Sequence, residues 1–436
     1  MFSLLPLLFL LFLQTLHLQA TPCPNVNDVL SRQLQNNSNT LPPGDLKEWL
    51  PRKDGTVPFW LIGNIPHVLA TIGTPPQVVE LLIDTGSGFT WFHGEESGKS
   101  LTFIRNCSST WIDNETVVTV TYLDQRTCSA ATGFDFIDVS GKAVGPVWMG
   151  ISDESQEKGT LFGAGILGLN RDSDVLKAYL DVNDSKSLNV FSFAFGEEAT
   201  GNPQNLFSLG GYAGLDPTAI VWFDALGNQA KDLESFFQLP VKTLSFKGRT
   251  WKFPREHKAI VDTGSSFGLL PGKMVTQIYS REPGFERYYF TGQKRSEYYF
   301  NGSFYPQRQI PRLTMGIANS TWSTEIADSG FPLESLQFSN GEVGTGPFYP
   351  PTFTSVGDLP FKVPPNLKVP SIIGGSFLKT LRGVIFDFTP GRERVGFVPR
   401  ENTMQYIPQN SGAAYFGLSR NTIAILGVLW VWFFLS

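Results

Sequence analysis

One hexapeptide pattern occurs twice in this chain. Leu82-Ile83-Asp84-Thr85-Gly86-Ser87 is matched by Ile260-Val261-Asp262-Thr263-Gly264-Ser265, 178 residues later. Each copy has a downstream partner of two apolar residues and a glycine. These partners are Ile166-Leu167-Gly168 after the first copy and Ile372-Ile373-Gly374 after the second. A lone Asp-Thr-Gly reads as a turn. Two copies with matching flanks and partners, in the same order, point to a chain built from two related lobes.

The repeated residue types suit one chemistry. Each Asp follows an apolar strand and opens a turn whose backbone shape calls for glycine, here Gly86 and Gly264. Thr85 and Thr263 can hydrogen-bond across a two-fold axis and lock the turns together. Ser87 and Ser265 can bond the outer carboxylate oxygens. Two such lobes would set Asp84 and Asp262 face to face. Like charges at that range cannot both ionise, so the pair would share one proton. One carboxylate could then act as base on a trapped water while the other acts as acid.

Composition narrows the alternatives. Of 436 residues, 34 are Lys or Arg and 39 are Asp or Glu, so the net charge of −5 argues against a nucleic-acid binder working through a general positive field. With 41% hydrophobic residues the chain can build a large core, and bulk disorder is excluded. The 43 Gly and 30 Pro, with many aromatics and only 17% charged residues, predict short strands joined by turns. Residues 68–72 and 78–83 read as strands, the second leading into Asp84. Residues 172–182 and 271–281 read as helices, and the Gly/Pro-rich stretch 339–352 as a surface loop. Three Cys and four His leave little material for a metal site, and none is expected. Gly163 to Gly168 matches GxGxxG, but no strand precedes it as a dinucleotide site would require.

Both ends are apolar. The short run from Leu4 to Leu13, with small Ala20 before Thr21, reads as a secretory signal over residues 1–20, a signal anchor being the alternative. The tail from Ile423 to Leu435 is too short to span a membrane comfortably and has no basic flank. About nine residues separate it from the small cluster Asn410 to Ala414, the pattern of a GPI-attachment signal. Ser411 is the expected attachment residue, with Asn410 and Gly412 close rivals. Residues 401–411 would form a stem and 412–436 a removed propeptide. A short transmembrane anchor is the other reading. Sequons at Asn36, Asn106, Asn114, Asn183, Asn301 and Asn319 fit a luminal or extracellular protein. There Cys107 and Cys128 can pair. Cys23 would be left over in a polar pro-segment or linker, residues 21–55. Arg52-Lys53 is a candidate processing point or an ordinary solvated pair.

Over residues ~60–400 the sequence resembles the pepsin-like aspartic proteases. The resemblance rests on Ile72-Gly-Thr-Pro-Pro-Gln77, Asp84 to Ser87 followed by Trp91, Ile166 to Gly168, Asp262 to Ser266, Ile372 to Gly374 with Phe377-Leu378, Val384 to Asp387, and Arg394 to Phe397. With the terminal signals, it looks most like the GPI-anchored, yapsin-like members of fungal type. The resemblance implies an all-β, bilobal fold with a central cleft, an N-terminal lobe at 56–215 and a C-terminal lobe at 216–400. It implies an aspartic endopeptidase of acidic pH that needs no cofactor. The partners would be peptide or protein substrates and, through the anchor, the cell-surface membrane or wall. The protein would be a monomer. It also implies a hairpin flap carrying a Tyr bonded to Trp91, for which Tyr122 is the candidate. The family places Gly just after that Tyr, whereas Leu123-Asp124-Gln125-Arg126 follow here. A Cys107–Cys128 bridge would tie the flap to the preceding loop. The alternative function is a weak or inactive binding or inhibitor protein on the same fold.

Overall fold

The computed structural model describes residues 23, 41–42, 44–97, 99, 101–122, 127–152, 164–182, 188–196, 205–225, 234–255, 257–290, 295–301, 310–318, 320–325, 327, 333–337, 343–349, 351–355 and 370–400. The expectations for the signal, the C-terminal tail with Ser411, and Asn36, Asn183 and Asn319 lie outside these residues.

The fold is all-β and bilobal. The described strands form sheets of thirteen, eight and four. Gln77–Asp84 is buried at every position, which requires neighbours on both faces. It runs parallel to Gly165–Gly168, with Asp84 opposite Gly168. In the other lobe Lys258–Val261 runs parallel to Ser371–Ile373, with Val261 opposite Ile373. The repeated sequence pattern is therefore one strand pair used twice. The next strands repeat as well. Thr90–His93 meets the first pair antiparallel through Trp91 and Ile166 and runs parallel to Ala143–Ser152. Gly268–Leu270 meets the second through Leu269 and Ile372 and runs parallel to Phe353–Ser355. The glycine ending each apolar triplet is needed sterically. A Cβ on Gly168 would come within 2.7 Å of the Gly88 backbone, and one on Gly374 would strike the Phe267 carbonyl.

Strands from both halves of the chain share the largest sheet. Val190–Ala194 pairs with Asn205–Leu209 on one side and with Gly383–Asp387 on the other. Arg394–Val398 and Val221–Asp224 extend the sheet beyond Gly383–Asp387. A phenylalanine layer covers this join. Phe191 stacks on Phe386 at 4.7 Å, and Phe237 packs edge-on to Phe386 at 5.0 Å. Such pairs contribute roughly 0.5–1.5 kcal/mol each beyond area burial. The two expected helices form as Asp174–Val182 and Gly272–Tyr279.

Two expectations are corrected. Residues 339–352 are not simply a loop. Val343–Tyr349 is a strand paired with Leu333–Gln337 and Arg295–Asn301. Pairing on both sides overrides the turn-like Gly and Pro content. The disulfide is Cys23–Cys107, not Cys107–Cys128. Cys128 lies near the end of the hairpin formed by Ile112–Thr121 and Thr127–Asp138, opposite Val120. Its side chain is buried with Ile65, Trp91 and Ile166. Cys107 precedes the hairpin, whose start pairs Ile112 with Phe134. Six residues of strand separate Cys128 from Phe134, about 20 Å, far beyond disulfide reach.

Candidate active site

Each Asp-Thr-Gly-Ser turn folds back on its own carboxylate. Gly86 N–H donates to Asp84 Oδ1 at 2.7 Å and Ser87 Oγ donates to Oδ2 at 2.8 Å. Gly264 N–H donates to Asp262 Oδ1 at 2.9 Å and Ser265 Oγ to Oδ2 at 2.8 Å. The glycines also make room. A side chain on Gly86 would lie 2.7 Å from Asp262 Oδ1, and one on Gly264 would run into the Asp84 carboxylate.

The threonines close a ring between the lobes. Thr85 N–H donates to Thr263 Oγ1 at 3.1 Å, and Thr263 N–H donates to Thr85 Oγ1 at 3.0 Å. Thr85 Oγ1 in turn donates a hydrogen bond to the Val261 carbonyl at 2.8 Å, and Thr263 Oγ1 to the Ile83 carbonyl at 2.7 Å. Both threonines are buried. Each buried backbone group in the ring is met by a partner across the axis, so the hydrogen bonds hold the two turns against each other.

The two carboxyls lie close to each other across the axis. Burial raises Asp84 well above the ordinary carboxylate range, and the adjacent Asp262 charge raises it further. Burial also raises Asp262, while bonds from Ser265 and Asp84 oppose it. The pair titrates as a unit and holds a proton that isolated carboxylates would have lost. Such a pair offers a base and an acid a few ångströms apart.

The structure brings Trp91 and Tyr122 together. Trp91 Nε1 donates to Tyr122 Oη at 2.6 Å. Trp91 sits in an apolar layer with Ile65, Leu82, Cys128 and Ile166, against which Phe89 and Tyr122 pack. The stretch Leu123 to Arg126, where the sequence departs from the family pattern, lies outside the described residues. Of the sequon residues, Asn106 is exposed, and Asn114 and Asn301 are half-buried. Asn114 Nδ2 donates to Thr116 Oγ1, the hydroxyl of its own sequon, at 3.0 Å.

Sequence reasoning missed residues that brace the turns across the lobes. Asn64, buried and at φ 70° in a hairpin turn, donates from Nδ2 to the Ser266 carbonyl at 3.3 Å and accepts from Lys379 Nζ at 2.7 Å. On the other side, Asn170 N–H donates to the Ser87 carbonyl at 2.9 Å, and Arg171 N–H to the Ser235 carbonyl at 2.8 Å. Arg171 also forms an ion pair with Glu393 at 2.8 Å. Gly63-Asn64 between apolar strands signals a turn, but nothing local names its cross-lobe partner.

The profile of the eukaryotic aspartyl proteases matches residues 68–398. The chain belongs to that family. Pregnancy-associated glycoprotein 2 of Sus scrofa is 28% identical over 246 residues, covering 52% of this chain and 54% of that protein. Pepsin II-2/3 of Oryctolagus cuniculus is 25% identical over 226 residues, covering 48% and 56%. Pepsin A of Canis lupus familiaris is 25% identical over 293 residues, covering 59% and 72%. The chain thus spans about half the length of the first two relatives. Family membership accounts for both Asp-Thr-Gly-Ser turns, the two apolar-apolar-Gly strands and the strands near 383–398, all within the matched residues.

Proposed function

We propose that this protein is an aspartic endopeptidase using Asp84 and Asp262. The observation that carries the reading is the geometry of the two facing carboxyls, each held by its own Gly N–H and Ser hydroxyl. A water between them would attack the scissile carbonyl carbon. The ionised carboxyl takes the proton of that water, and the protonated one gives its proton to the carbonyl oxygen, forming a gem-diol. Collapse breaks the C–N bond as the carboxyl that took the water's proton gives it to the nitrogen and the other takes a proton from a gem-diol hydroxyl, leaving a carboxylic acid, an amine and a pair that again holds one proton. The pair must hold one proton for this, which supports an acidic optimum. Tyr122, bonded to Trp91, would close over the substrate as part of the flap.

The reading includes a place in the secretory pathway and at the cell surface. The short apolar N-terminal run, the sequons and the small-residue cluster before the apolar tail support a signal at 1–20, N-glycans, and a GPI anchor at Ser411. Secretion without an anchor fits the same signal. Natural substrates would be secreted or wall-associated proteins and peptides.

The test is cleavage of a mixed peptide library from pH 3 to 7, read by mass spectrometry, with Asp84→Asn as control. Cleavage by the native protein alone, fading towards neutral pH, is the expected result. No cleavage at any pH by folded protein would move the reading to a binding protein on the protease fold.

A further inference from the structure

Among the described residues before the matched region, Cys23 and residues 41–50 attach to the N-terminal lobe. Leu46–Trp49 forms one helical turn, started by Asp45, whose carboxylate accepts from Lys47 N–H. Leu46 is buried in a cluster with Trp60, Leu69, Val78 and Leu101, and Leu41, Trp49 and Leu50 pack against it. The Trp49 ring meets Trp60 edge-on at 5.5 Å. Further towards the N-terminus, Cys23 is bonded to Cys107.

Both attachments lie away from the carboxyl pair. Val78 is six residues before Asp84 on one strand, about 20 Å along it. Cys107 belongs to a loop bound to the turn that starts this strand. Thr74 N–H donates to Ser108 Oγ at 3.1 Å, Ser109 N–H to the Thr74 carbonyl at 2.8 Å, and Gln77 Nε2 to the Ile104 carbonyl at 3.1 Å. The basic pair Arg52-Lys53 follows the apolar segment. Arg52 N–H donates to the Thr56 carbonyl at 2.8 Å and Gly55 N–H to the Arg52 carbonyl at 3.1 Å, so a tight turn presents Lys53 and Asp54 to solvent.

We propose that this leader is a permanent strap on the N-terminal lobe and that the Lys53 turn is a proteolytic maturation site whose cutting yields a disulfide-linked two-chain protein. A protease specific for basic residues would add water across the peptide bond after Lys53, leaving a carboxylate there and an ammonium on Asp54. The fragment would not leave. Cys23–Cys107 spans the cut, and release would also return Leu46, Trp60, Leu69 and Val78 to water. A removable inhibitory segment needs the opposite design, with no covalent tie and a seam that opens cheaply. The activity of the nicked form rests on the proposed function, whereas retention of the leader does not.

The experiment takes the full chain, made in eukaryotic cells and purified without reductant, and nicks it with a Lys/Arg-specific protease. Intact masses are read before and after reduction. The expected result is a single two-chain species before reduction and, after it, a small chain ending at Lys53. The nicked form should cleave peptides at a rate within about twofold of the uncut form. A Cys23→Ser, Cys107→Ser double variant should shed the small chain on gel filtration once Trp49→Ala also opens the seam. Non-reduced protein that begins at Asp54 without the leader overturns the proposal, as does a turn that resists cutting in the folded protein. Retention without peptidase activity in either form counts against the proposed function alone.

Discussion

At Asp84, Gly86 N–H and Ser87 Oγ reach the carboxylate at 2.7 and 2.8 Å, and at Asp262 the equivalent groups reach it at 2.9 and 2.8 Å. What surrounds the two turns is different. Trp91 and Leu269 occupy the same place, each opposite an isoleucine of the apolar-apolar-Gly strand. Trp91 carries an indole N–H that reaches Tyr122, while Leu269 is a buried hydrocarbon with nothing to donate. The braces differ too. The Asp262 turn is held through the neutral amide of Asn64, and the Asp84 side through the Arg171–Glu393 ion pair. Identical tetrapeptides therefore produce identical inner bonds, while covering and bracing are set by unrelated positions. A near-symmetric pair of carboxyls thereby lies in asymmetric surroundings.

The largest effect tests the pair itself. Asp84→Asn and Asp262→Asn should each lower peptide hydrolysis by about 10²–10⁴-fold, the usual worth of a general acid or base. They should also change how stability depends on pH. Asp84 and Asp262 are raised in the folded state, so the folded protein binds protons more tightly than the unfolded chain. The associated stability is fully present below the ordinary carboxylate value near ~4 and is lost as pH rises through the raised values. Thermal melts from pH 4 to 8 should fall less steeply for either Asn variant. An unchanged slope in one variant would break the symmetry.

Next come the threonines. Thr85→Val and Thr263→Val each strip a buried N–H and a buried carbonyl of their partner, at about 1–3 kcal/mol per stranded group. Urea unfolding should give similar losses for both, and the double variant should depart from additivity by roughly 0.5–3 kcal/mol. Unequal losses would show that one lobe carries the junction.

Trp91→Phe removes the bond to Tyr122, about 1 kcal/mol, and trims a buried ring. Steady-state kinetics should show KM for peptides rising about fivefold. Leu269→Val, at the equivalent place, should lower stability by about 1 kcal/mol and leave KM alone. If both variants shift KM alike, the lid is not confined to the N-terminal lobe.

The smallest effect concerns the Arg171–Glu393 brace. Burial alone would push Glu393 up, but its bond from Arg171 and other hydrogen bonds hold it below the ordinary range. Arg171→Gln should cost about 0–1 kcal/mol near neutral pH. That cost should vanish as pH falls through the Glu393 value. Asn64→Ala, which strands two partners and puts alanine at a left-handed position, should cost more, about 1–3 kcal/mol, with no such pH dependence in chemical unfolding.

Much of the centre was legible in the chain. The repeated apolar-apolar-Asp-Thr-Gly-Ser pattern foretold two equivalent strands ending in carboxylates, and the later Ile-Leu-Gly and Ile-Ile-Gly foretold their neighbours. Both helices and the Trp91–Tyr122 contact were readable from pattern or resemblance. The Gly/Pro-rich stretch misled, because Val343–Tyr349 is a strand through pairing with segments whose proximity no local signal announces.

The sequence by itself determined the family, the dyad turns and the bonds within them, because those depend on residues two or three apart. Tertiary structure alone decided the partner of Cys107. Spacing suggested Cys128, but a strand buried that side chain beneath Trp91 about 20 Å from where the hairpin starts, while folding carried Cys23 across to Cys107. It also decided that Asn64 would reach Ser266 and Lys379, and that Leu46 and Trp49 would pack on the N-terminal lobe. Contacts between residues distant in the chain follow from how whole sheets pack, and no short stretch of sequence encodes that.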